Sequence, residues 1–157
     1  MPDTRTVLAM DAALGGVSLA LARGGETIAS VEWHEARSAG EHLLQWIEDI
    51  VAAFDVPDAI AVGVGPGSFT GIRVAVTAAK SLAWAWARPL HPASSLQALA
   101  AAVPNNPCTV VASSERRGDQ VYVGVYFRGR TGAEPLVEDA RWTLPALPEI
   151  RRRPEDP

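Results

Sequence analysis

A glycine-rich loop, Val64-Gly65-Pro66-Gly67-Ser68-Phe69-Thr70-Gly71-Ile72-Arg73, joins the apolar run Ala59 to Val64 to a long apolar helix that the spacing opens at Thr70. Glycines at 65, 67 and 71 let the backbone reach positive φ or approach another group closely, and Pro66 fixes the bend. A loop that ends at a helix N-terminus presents N–H groups, so an anion is the first ligand to consider. Asp11, Gly65, Gly67 and Ser68 are the residues that would form such a nucleotide or anion site. The side chains argue against two common phosphate loops. Gly71 is followed by Ile72 and Arg73, where a P-loop needs Lys and Ser or Thr, and no Gly-x-Gly-x-x-Gly register starts at Gly63, Gly65 or Gly67. The loop reads as a shaped strand-to-helix turn beside a partner surface, with an anion or nucleotide edge as the alternative.

The elements on either side follow from periodicity. Thr6 to Met10, Val17 to Ala22 and Ile28 to Trp33 are short apolar runs separated by Gly15-Gly16 and Gly24-Gly25, which predicts an antiparallel three-stranded meander. Ser38 and Glu41 have capping-box spacing, and Leu43, Leu44, Ile47, Ile50, Val51 and Phe54 recur at helical intervals, predicting a helix from about Ser38 to Phe54. Ala59 to Val64 lacks polar alternation and reads as a buried strand. Thr70 to Trp86 is apolar almost all round, with Arg73 and Lys80 as its charges. Such a helix is deeply buried or meets a second protein, and Ala75, Ala78, Ala79 and Ala83 permit close helix approach. Trp84 and Trp86 fall on nearly opposite sides of it, so at least one indole should project from the core.

Leu90 and His91 suggest a short strand, and Ser94 with Gln97 a second capping box opening a helix to about Val103. Pro104-Asn105-Asn106-Pro107 punctuates the chain. Thr109 to Ala112, Gln120 to Phe127 and Leu136 to Trp142 read as strands around the polar turn Ser114 to Asp119. The expected division is 1–103 as an N-terminal α/β lobe, 104–143 as a partial second lobe, and 144–157 as a Pro- and Arg-rich tail.

Composition narrows the chemistry. A chain of 157 residues that is 48% hydrophobic can bury a core. Net charge of −4 and a pI near 5.3 argue against a surface that holds nucleic acid by itself. One cysteine, Cys108, excludes an internal disulfide framework and a cysteine-based zinc cluster. No apolar run of about 18 residues is long enough to span a bilayer, so a cytoplasmic protein is expected. His34, His42 and His91 lack metal-ligand spacing, and neither a cofactor nor a metal is expected. Ser68, Ser94, Ser95, Ser113 and Ser114 form no nucleophile elbow. Asp11 ends the first strand, where an ATPase could place a Mg²⁺-associated carboxylate. Ala12-Ala13-Leu14 supplies no hydroxyl-bearing phosphate turn beside it, so capping or turn formation is the preferred role. Arg116-Arg117 and Arg151-Arg152-Arg153 read as a solvated turn and tail, with auxiliary RNA contact as the alternative.

Three antiparallel strands, a helix, a strand and a helix, followed by strand, turn and strand, make two related α/β lobes. The layout resembles the actin-like ATPase and sugar-kinase (ASKHA) superfamily: mixed sheets flanked by helices, here with a truncated second lobe. Leu8-Ala9-Met10-Asp11, His42-Leu43-Leu44, Val64 to Arg73, Ser94 to Ala100 and Arg117-Gly118-Asp119-Gln120-Val121-Tyr122 resemble the bacterial TsaB (YeaZ) family over roughly Val7 to Trp142. Glu115 departs from it, since an aspartate is commoner there. The resemblance implies a non-catalytic subunit of the machinery that makes N6-threonylcarbamoyladenosine in tRNA. It implies pairing with the catalytic paralogue TsaD, work with the ATPase TsaE, self-association as a homodimer, and tRNA contact within the complex. By position, the contact would fall on His42, Leu43, Trp46, Thr70, Arg73, Val74, Ala78, Ala79 and Leu82. The rival from another class is an actin-like ATP-dependent enzyme using Asp11 and the glycine loop.

Overall fold

The start of the chain folds into a meander of β1 (Thr6–Asp11), β2 (Val17–Arg23) and β3 (Glu26–Trp33), paired antiparallel as expected. The computed structural model describes residues 4–34, 39–104, 107–114, 118–129 and 132–143. Ser38, Glu115, Arg116-Arg117, Asn105-Asn106 and residues 144–157, named above, lie outside them, as does the side chain of Glu41. Gly24 and Gly25 both have positive φ, 59° and 86°, as a two-residue turn with the twist of a hairpin requires. The β1–β2 connection is wider than a Gly-Gly turn and runs from Ala12 to Gly16, because Asp11 folds the backbone after it. Its Oδ1 accepts from the Ala13 N–H at 2.6 Å.

After β3, α1 (Ala39–Phe54) crosses over so that β4 (Ala59–Gly63) returns parallel to β1. Next, α2 (Phe69–Ala85) leads to β5 (Leu90–Ala93), parallel to β4. The resulting five-stranded sheet has the order β3-β2-β1-β4-β5. The interior position of β4 explains its unbroken apolar sequence. Asp58 starts this strand against β1, accepting from the N–H and Oγ1–H of Thr6 at 2.8 and 3.1 Å. Those bonds hold its carboxyl below the usual aspartate value. The helical face Leu43, Ile47 and Ile50 and the inner alanines Ala75 and Ala79 close over Leu8, Met10, Leu19, Leu21, Ile60 and Val62.

Ser68 caps α2: its Oγ accepts from the Gly71 N–H at 3.3 Å, so the helix starts one residue before the expected Thr70. The second part begins with α3 (Ser95–Ala101), shorter than expected at its C-terminal end. It continues as β6 (Cys108–Ser113), β7 (Gln120–Arg128) and β8 (Ala133–Thr143), an antiparallel sheet in that order. Ser94 Oγ accepts from the Gln97 N–H at 3.1 Å, which is the expected cap. Gln97 does not return the bond; its Nε2 donates to the Ala133 carbonyl at 2.8 Å. That contact shows where α3 packs: Leu96 and Ala100 share a core with Ala112, Tyr126 and Ala133. The expected division at Pro104 therefore falls after a helix whose buried face belongs to the second sheet.

Candidate functional site

The glycine loop is shaped by contact with the chain's own β1–β2 connection. A Cβ on Gly67 would stand 2.1 Å from the Ala13 carbonyl oxygen, and one on Gly71 would stand 1.8 Å from that of Ala12. Gly63 is held equally close to the Asp11 carboxylate, and Gly65 has φ 91°. Hydrogen bonds lock the approach. The Ser68 N–H donates to the Ala13 carbonyl at 2.7 Å, and the Gly65 N–H to Ser95 Oγ at 3.1 Å. Ser95 Oγ donates in turn to Asp11 Oδ2. Asp11 thus has the turn-forming role preferred above, with each carboxylate oxygen bonded within the chain. Between the lobes, Ala13, Leu14, Gly15, Gly67, Ser68 and Phe69 face Ser114, Gln120 and Tyr122 across about 170 Å³. Small-molecule sites usually occupy about 300–1,000 Å³.

A much larger groove, about 720 Å³, lies on the outer side of α1 and α2. Leu43, Leu44, Val74, Ala78 and Leu82 give it an apolar floor, and Thr70, Arg73, Thr77 and Ser81 line its rim. Spacings of three and four residues along α2 put 70, 73, 77, 81 and 84 on one outward stripe. Its two ends carry large exposed aromatics, Phe69 at 69% and Trp84 at 87%. Arg73 lies over the Phe69 ring, 5.4 Å from its centroid. Trp84 is the projecting indole expected above, while Trp86 packs half-buried against the core. Small side chains at 77, 78 and 81 between aromatic ends suit an amphipathic helix laid into the groove.

The nine expected contact residues separate into three groups. Thr70, Arg73, Val74, Ala78 and Leu82 line the groove together with Leu43, whose side chain is 1% exposed and sits beneath it. His42 and Trp46 point elsewhere on α1, toward β3. His42 stacks on Trp46 at 5.7 Å between ring centroids, and Trp33 lies 4.9 Å from His42. Ala79 is fully buried in the sheet core and reaches no outer surface. This corrects the pairing of Ala78 with Ala79 as equivalent small contacts, because one residue of helical rotation separates floor from core. Leu44, Thr77 and Ser81 were absent from the expected set. Leu44 looked like part of the core run, yet it is 56% exposed.

The family model described as "TsaD: tRNA N6-adenosine threonylcarbamoyltransferase" matches residues 33–147. The tRNA threonylcarbamoyladenosine biosynthesis protein TsaB of Bacillus subtilis is 29% identical over 97% of this chain and 68% of its own length. Its namesake from Haemophilus influenzae is 33% identical over 82% of this chain and 57% of its own. The chain thus spans between about three-fifths and two-thirds of these curated relatives. Two solved structures from Pseudomonas aeruginosa each cover 97% of the chain. YeaZ superposes with a TM-score of 0.77 at 30% identity, covering 72% of that chain. A protein described as similar to peptidase YEAZ superposes at 0.80 and 31%, covering 71%. The mixed sheets flanked by helices are the actin-like, ASKHA-type architecture.

Proposed function

This chain belongs to the TsaB (YeaZ) family, and from that membership we propose that it is a non-catalytic subunit of tRNA threonylcarbamoyladenosine biosynthesis. It docks the catalytic paralogue TsaD through the α1–α2 groove and acts in the cytoplasm with the ATPase TsaE, meeting tRNA within that assembly. The observation that carries this reading is the groove: an apolar floor of Leu43, Leu44, Val74, Ala78 and Leu82 between α1 and α2, with Phe69 and Trp84 exposed in the first and last turns of α2. Apolar surface of this kind, with a polar rim, is what a protein partner covers. The internal bonds of Asp11 and the small volume between the lobes support a scaffold over an ATP-using enzyme.

Co-purification with the TsaD and TsaE of the same organism, followed by assay of tRNA modification with and without this chain, tests the proposal. Ala78→Arg should abolish co-purification and the stimulated modification while changing stability by less than about 1 kcal/mol, as a substitution at a half-buried surface position does. Ala79→Arg should unfold the chain, since it puts a charge into the sheet core. Unchanged co-purification of folded Ala78→Arg would move the interface away from the groove. Stoichiometric Mg-ATP binding by the isolated chain in calorimetry would overturn the non-catalytic role.

A further inference from the structure

The charge on α2 runs against that of the chain. The whole sequence has a net charge of −4, yet the 17 residues of α2 hold Arg73 and Lys80 and no carboxylate. Seven residues are close to two helical turns, so both cations stand on one side of the helix, about 10 Å apart along its axis. That side is the outward one: Arg73, Thr77 and Lys80 are exposed, while Ala75 and Ala79 are fully buried on the other. Arg73 lines the α1–α2 groove, and none of the residues that line it with Arg73 is acidic. Its guanidinium lies over the Phe69 ring instead, 5.4 Å from the centroid. Stacking of this kind restrains a long side chain and leaves its N–H edge free to donate.

We propose that Arg73 sets the register of the groove's partner by pairing with a carboxylate on the helix that TsaD lays there, with a second acidic residue two turns along facing Lys80. This rests on the groove being the docking site. The apolar floor cannot fix the register by itself. Val74, Ala78 and Leu82 repeat every four residues, so a partner helix shifted by one turn meets nearly the same surface. A single charge at the rim breaks that repeat, as a polar residue does in a coiled-coil seam. Docking also removes water from the guanidinium, which is costly unless a carboxylate replaces it. The Phe69 ring has already ordered the side chain, so less freedom is lost when the fork engages.

Affinity of the full chain for TsaD, measured at low and high salt, tests the pairing. Arg73→Gln should weaken binding at least about tenfold and remove most of its salt dependence. Lys80→Gln should act in the same direction and less strongly. Arg73→Glu should weaken binding further, and exchange of one Asp or Glu for Arg on the docking helix of TsaD should restore it. Each variant should keep the parent's urea midpoint, since both positions are exposed. Parental affinity in Arg73→Gln, or a loss in Arg73→Glu that no acid-to-Arg exchange on TsaD repairs, would overturn the pairing, and a block of docking by Ala78→Arg would then leave the groove itself in place. Docking by folded Ala78→Arg would overturn both readings. Self-association broken by Arg73→Glu with TsaD binding spared would give the groove to a second copy of the chain and overturn the proposal.

Discussion

Gly71 shows why the loop was harder to read than to find. Its spacing from Gly65 and Gly67 marked a close approach, but a glycine states that something is near without saying what. The partner is the Ala12 carbonyl, and it is Ala13 for Gly67, so the freedom is spent on packing against the β1–β2 connection. Gly71→Ala would drive a Cβ into backbone that cannot yield, and should destabilise the chain by about 3 kcal/mol, the upper range for overpacking. Urea unfolding of the purified variant checks this; a loss under about 1 kcal/mol would mean that the β1–β2 connection can retreat. Asp11 was legible as a turn former from the alanines after it. Its bond to Ser95 was not, because that partner stands 84 residues away in sequence and no local pattern encodes it.

At the level of elements, periodicity located the strands and helices that bury one face at their own repeat, such as β1, β2 and α1, while α3 was found from its capping residues Ser94 and Gln97. It failed where two faces of one helix are both apolar. On α2 the inner Ala75 and Ala79 and the outer Val74, Ala78 and Leu82 look alike in sequence, and packing against the sheet alone separates them. The same holds for Gln97, which suits a capping box yet reaches across to Ala133. Polar links of this kind make α3 part of the second sheet. Asp139 of β8 accepts from both Ser94 Oγ and Tyr126 Oη, placing the helix cap, β7 and β8 on one carboxylate. Burial and the bond to Asp139 push the Tyr126 phenol up to about 12 from 10.0. A raised folded-state value means that this contribution is complete below pH 10 and is lost as pH rises through about 12. Tyr126→Phe should cost about 2 kcal/mol at neutral pH, the scale of a hydrogen bond to a charged group, and should flatten the loss of stability between pH 10 and 12. Unfolding midpoints measured at pH 8 and pH 11 separate these effects; parallel losses in parent and variant would remove Tyr126 from the alkaline transition.

Across the whole molecule, two adjacent serines hold the sheets together. Ser94 bonds to Asp139 in the second sheet, while Ser95, 2% exposed, bonds to Asp11 of β1 and accepts from Gly65 in the glycine loop. The loop is therefore fixed on both sides, by β1 through its glycines and by α3 through Ser95, and it presents α2 and the groove at a set angle to the second sheet. Ser95→Ala would leave the Gly65 N–H without its acceptor and Asp11 Oδ2 without its donor in a buried place, at a cost of about 1–3 kcal/mol. Because the lost bonds join sheets that otherwise have separate cores, the loss should fall unevenly. Native-state amide exchange should show Leu8 and Ile60 in the first sheet keeping more protection than Val125 and Tyr126 in the second, while in the parent protein the two sheets should open together. Equal losses in the two sheets would mean that the apolar contacts of α3, and not the Ser95 bonds, carry the coupling.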